Sequence, residues 1–187
     1  PTGGTDLAEN ADITSGDSPP ATNDIVRLRV SVTSTATVIA AGTSFKLQFQ
    51  ATASEDCTSG SWTDVGAVTT WALVDNAGVA DGATITRSLT ASTVNENYNE
   101  SNPSLGMPNI LSISSIGEFD WPIKNNGAAA GTAYAFRLAE SDGTAFSSFA
   151  NCPNITTAAA AGPNTEQVLR HGAWFNAGAK QSFFWGQ

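Results

Sequence analysis

The chain offers few side chains able to do chemistry. Its single histidine, His171 in "LRHGAWF", has no serine or cysteine nearby in a nucleophile motif, and it reads as a structural residue. Carboxylates and amides gather twice, at Asp6, Glu9, Asn10 and Asp12 and again at Asn95, Glu96, Asn97, Asn99 and Glu100. Oxygen donors of this kind suit calcium, but the spacing matches no EF-hand loop, and solvated polar loops are the simpler expectation. Glycoside hydrolysis needs two carboxylates set apart for acid and base work, and nothing singles out a pair. A Lys–Asn cross-link would need Lys46, Lys124 or Lys180 buried beside an Asn and an acid; no sequence feature selects one. The expectation is a protein without catalytic residues, cofactor or metal.

Cys57 in "SEDCTSG" and Cys152 in "FANCPNIT" lie far apart, each in a polar stretch that reads as loop. An even count in a chain of this composition predicts one long-range disulfide and an oxidising, extracellular setting. Five tryptophans, Trp62, Trp71, Trp121, Trp174 and Trp185, could stack on surface glycans, although their place in alternating strands or beside turns favours packing. "NES" at Asn99 and "NIT" at Asn154 match the glycosylation acceptor pattern, both in stretches that read as surface loop.

These residues have to be positioned by strands. "IVRLRVSVT" sets Val26, Leu28, Val30 and Val32 against Arg27, Arg29 and Ser31, and "SFKLQFQAT" sets Phe45, Leu47 and Phe49 against Lys46, Gln48 and Gln50. "AGT" with Gly42 between them predicts a hairpin. "WALVD" and "ATITRSL" follow, then "GEFDWPIK", in which Pro122 demands an edge or bulge, and "TAYAFRLAE", ended by the "SDG" turn. "STVNENYNESNPSLGMPN" has little periodicity and predicts a surface excursion; "TTAAAAGPN" is stopped by Gly162 and Pro163 and predicts a loop or strand end. No stretch has helical period over three turns. The expected fold is all-β, one antiparallel β-sandwich of the immunoglobulin or fibronectin type III kind over 1–187, with a polar segment at 1–24 and an aromatic strand at 180–187.

Charged residues make up 13% of the chain, below the roughly 25% of average proteins. The net charge of −9 repels phosphate backbones and anionic lipid, so nucleic acid is excluded as a partner. No apolar run is long enough to cross a bilayer, and no signal peptide is visible, so an export signal or anchor would have been removed or lie outside this chain.

The order "DLAENADIT", "NDIVRLRVSV", "FKLQFQA", "WTDV", "FDWPIKNN", "YAFRL…SDGT", "RHGAWF…KQSFFW" resembles a β-sandwich domain found, often in tandem, in predicted secreted and surface proteins of candidate-phylum bacteria. The resemblance spans nearly the whole chain, rests on no catalytic motif, and implies location and architecture more than activity. In that family an aromatic strand of the form "RFY" or "FFW" precedes the "LAEN" segment. Here the aromatic strand stands at the other end, with Gln181, Phe183, Phe184 and Trp185 in "KQSFFWGQ". Two arrangements restore the family order: one repeat of a longer array, or a subunit whose last strand fills the sheet of the next. The expected function is therefore an extracellular structural subunit of a cell-surface filament or repeat array, its partners copies of itself, joined head to tail by strand addition. The alternative is a carbohydrate-binding or adhesin module acting as a monomer.

Overall fold

The structure, a computed structural model, describes residues 7–14, 18–53, 56–161, 166–167, 173–176 and 181–184. Eleven strands are described, and no helix among those residues. They are β1 (Ile25–Thr33), β2 (Phe45–Gln50), β3 (Thr63–Asp64), β4 (Trp71–Leu73), β5 (Val94–Tyr98), β6 (Ile116–Asn125), β7 (Ala133–Glu140), β8 (Asn154–Thr156), β9 (Glu166–Gln167), β10 (Ala173–Asn176) and β11 (Gln181–Phe184). The protein is an all-β sandwich. One sheet runs β1-β6-β4, with β5 added to β6 in parallel, and the facing sheet runs β3-β2-β7-β8.

Period-two alternation builds the core. Leu28 and Val32 of β1, Phe119, Trp121 and Ile123 of β6, Phe45, Leu47 and Phe49 of β2, and Tyr134, Phe136 and Leu138 of β7 all point between the sheets. Edge-to-face contacts tie the layers together, Phe45 on Phe119 at 5.4 Å and Trp71 on Phe136 at 5.2 Å. The opposite face of the first sheet carries a buried ionic layer. Glu118 and Asp120 of β6 have fully buried side chains; Arg29 reaches Glu118 at 2.7 Å and Asp120 at 3.4 Å, and Arg27 bonds Asp120.

Four sequence expectations need correction. First, β1 and β2 form no hairpin. They lie in different sheets, and residues 34–44 cross between them, pinned where Ile39 pairs with Leu111 and the Gly42 N–H donates to Met107. Second, Pro122 is on neither an edge nor a bulge of its own; it lies inside the central strand β6. The lack of an N–H is tolerated because β5 pairs only as far as Asp120 and β4 begins at Ile123, so Pro122 falls where one neighbour gives way to the other. Third, "ATITRSL" is reduced to an isolated antiparallel bridge of Thr84 with Asn97, in which the Ile85 N–H donates to the Glu96 carbonyl. Beyond it the backbone is taken up by side chains: Thr86 carbonyl accepts from Arg29, and the Ser88 and Leu89 N–H groups donate to Glu118. Fourth, the segment expected to be a surface excursion contains β5, and Glu96, Asn97, Tyr98 and Asn99 are buried.

Candidate assembly site

Strand β1 supplies nine residues, and among the described residues it is hydrogen-bonded only to β6, from Ile25 opposite Lys124 to Thr33 opposite Ile116. Its other edge has no strand partner among the described residues. Val26 and Val30 on that strand are only partly buried, though they pack against the core from the same face as Leu28 and Val32. Among the described residues a groove of about 2840 Å³ runs along β1, lined by residues of both sheets; Phe45, Leu47, Phe136 and Leu138 of the facing sheet are among them and are themselves buried, Leu47 and Phe136 at 0% exposure.

The segment Leu7–Thr14 bounds the cleft on its far side. Ile13 bridges Ile155 of β8 in parallel, and Asp12 accepts the Asn154 N–H at 2.8 Å. At its other end Glu9 accepts the Thr90 N–H at 3.0 Å, which holds the Glu9 carboxyl below its ordinary value. The strap thus reaches from β8 in one sheet to the loop layer outside the other.

The C-terminal strands form a third sheet of order β11-β10-β9, antiparallel throughout, with Phe183 opposite Trp174 and Gln181 opposite Asn176. β11 is an edge strand of that sheet, and no strand of it is hydrogen-bonded into either sheet of the sandwich. Among the described residues, β1 at the edge of the sandwich and β11 at the edge of a separate sheet therefore occur in one chain. No family model, curated protein or solved structure matches it.

The remaining candidate residues are placed as follows. Cys57 and Cys152 form the disulfide, Cα atoms 5.5 Å apart, on the outer face of the β7 sheet beside Ala135. Trp71 and Trp121 are core residues, 0% exposed, and half-buried Trp62 lies under the Arg137 guanidinium at 4.4 Å. None of the three offers a flat free face to a sugar. Asn99 is buried with its amide donating to the Asn97 carbonyl, so its acceptor pattern is closed in the folded chain; Asn154 is partly exposed. The two oxygen-donor clusters stay apart: Glu9, Asn10 and Asp12 belong to the strap, whereas Glu96, Asn97 and Asn99 are buried along β5. Among the described residues no group of His, Cys, Asp and Glu could hold a metal ion, and no helix is long and apolar enough to cross a membrane. Lys46 is paired with Asp64 at 2.8 Å. Asp6, His171, Lys180 and Trp185 lie outside the described residues, and for Trp174, Phe183 and Phe184 only the strand pairing is described.

Sequence reading missed that β1 has β6 as its one strand neighbour among the described residues. Its signal was the matched spacing of Arg27 and Arg29 with Asp120 and Glu118, which fits β6 beside β1.

Proposed function

We propose that this protein is an extracellular structural subunit of a surface filament or repeat array, in which the open edge of β1 receives the aromatic C-terminal strand of a neighbouring copy. The observation that carries the reading is the nine-residue edge of β1, without a strand partner among the described residues, beside a groove lined by the partly buried Val26 and Val30. An added strand gains backbone bonds along that edge, and its alternate side chains cover Val26 and Val30. "QSFFW" supplies the apolar side chains such a cleft requires. The disulfide supports an extracellular location. The contact is heterologous, because β1 of one copy meets β11 of another, and a heterologous contact propagates.

The test mixes two disabled variants. Val30→Lys puts a charge in the cleft and leaves β11 intact; Phe183→Asp spoils the donor and leaves β1 intact. Each alone should remain monomeric by sizing, and an equimolar mixture should stop at dimers, because only one competent interface can form. If the wild-type chain is itself monomeric and the mixture forms no dimer, strand exchange between copies is wrong.

A further inference from the structure

We propose that the strap Leu7–Thr14 is a gate on the β1 groove, hinged at β8 and latched at its far end by the Glu9 carboxylate, and that it must be unlatched before a strand is added to β1. This rests on the strand-addition reading above and gives it a regulation. The path of the strap follows from its two anchors. Among the described residues β1 and β8 are edge strands of facing sheets, and residues 24–33 and 152–155 line the same groove, so the two edges border one side of the sandwich. One anchor is on β8. The other, Thr90, follows the Ser88 and Leu89 N–H groups that Glu118 binds on the outer face of the β1 sheet, and Glu118 lies opposite Ser31 of β1. Between β8 and Thr90 the strap therefore passes the edge of β1 away from β6, near Ser31, and residues 7–13 all line the groove. A strand pairing with the whole length of β1 would cross the line of the strap, so the two compete for one passage.

The two anchors are unequal, which makes one a hinge and the other a latch. At β8 the Ile13 N–H donates to the Asn154 carbonyl at 3.0 Å, and the Ile13 carbonyl accepts the Thr156 N–H at 2.7 Å. Asp12 accepts the Asn154 N–H, Asn10 accepts the Asn151 amide at 2.9 Å, and the partly buried Ile13 packs against the core. At the far end, among the described residues, Glu9 holds Thr90 alone, accepting its N–H at 3.0 Å. The Ala11 N–H closes a turn on the Ala8 carbonyl at 3.0 Å, so Glu9 is carried on a folded unit that swings as one piece. Residues 7–12 are all exposed, so lifting them off Thr90 uncovers no buried side chain of their own. Segments held by few exposed bonds and little buried area are those that open locally while the rest of a domain stays folded. A closed strap keeps a chain that carries both β1 and an aromatic strand from joining its neighbour at every encounter.

The experiment uses the full chain with Phe183→Asp, which leaves β1 intact, and a fluorescent peptide of residues 180–187, KQSFFWGQ, as the added strand. Adding Glu9→Ala, at an exposed position, should retain the melting temperature and raise the association rate of the peptide about fivefold, the gain in unlatched population from losing one hydrogen bond. The dissociation rate should not change. Glu9→Gln keeps an acceptor oxygen for the Thr90 N–H and should associate close to the parent rate. Equal association and dissociation rates in the parent and Glu9→Ala would overturn the gate and leave strand addition standing. Faster dissociation from Glu9→Ala at an unchanged association rate would mean that the strap clamps a bound strand, and the gate is wrong. A peptide that binds neither protein, or that binds as well after Val30→Lys, would overturn both readings.

Discussion

Two buried glutamates of neighbouring strands respond to pH in opposite directions. Glu96 faces the core side, where its Cγ would lie 2.9 Å from a Cβ on Gly117; one oxygen accepts the Asn109 N–H at 3.3 Å, and the other has no partner. Burial pushes its carboxyl up to about 7. Glu118 is buried as deeply, and burial alone would raise it, but the Leu89 N–H, Arg29 and the Ser88 N–H more than offset that and hold it below its ordinary value. A raised carboxyl favours the folded state fully below the unfolded value of 4.5 and loses that advantage as pH climbs through 7; the lowered one loses its contribution as pH falls below 4.5. Denaturation midpoints should therefore be greatest near about pH 5 and decline towards pH 8. Glu96→Gln should abolish the decline on the alkaline side; an unchanged profile would show that Glu96 ionises normally. Covalent closure acts independently of pH. Cys57→Ser opens a link with a sequence separation of 95, and unfolding in denaturant should register a loss of about 4 kcal/mol.

Strands that bury one face were legible in the sequence; their partners were not. The boundaries of β1 follow from alternation because it buries one face, and those of β7, buried on both faces, because its large apolar residues Tyr134, Phe136 and Leu138 still alternate. β5 escaped that logic. Its buried residues are mostly polar, with Glu96 towards the core and Tyr98 beneath Arg27, and a register shift between Asn95 and Tyr98 breaks the period, so it read as loop. The hairpin assigned around Gly42 failed for a related reason: a glycine at φ 86° permits a turn but does not say in which sheet the chain resumes. What holds that crossing in place is a close approach of two backbones. A Cβ on Gly106 would lie 2.8 Å from both the Cα and the carbonyl oxygen of Gly42. Gly106→Ala should cost about 1–3 kcal/mol, measured as a lowered melting temperature. Arg29→Ala should cost about 2 kcal/mol, less than a fully buried pair, since Arg29 is 27% exposed and Glu118 keeps its backbone donors. Of the candidate site, the C-terminal strand was legible from its aromatic run, whereas the position of β1, with β6 its one strand neighbour among the described residues, became visible only in the structure.

At the scale of the whole molecule, charge opposes the proposed association and apolar area would drive it. Copies carrying −9 repel through solvent, and salt screens that repulsion while leaving strand pairing and apolar contact largely intact. Raising sodium chloride from about 0.05 to about 0.5 M should lower the concentration at which polymer appears, as followed by light scattering. An assembly held by surface ion pairs would show the reverse. The disulfide joins the loop after β2 to the residues just before β8, so it braces the sheet that faces β1. The proposed strand addition at β1 would therefore break no covalent link. The most direct measurement is negative-stain electron microscopy, with sizing, of the full chain beside one ending at Ala179. Strand complementation predicts filaments or long oligomers from the full chain and folded monomers from the shortened one. A full chain that stays monomeric and folded, with a shortened one that unfolds, would contradict it and show that the last strand completes its own domain.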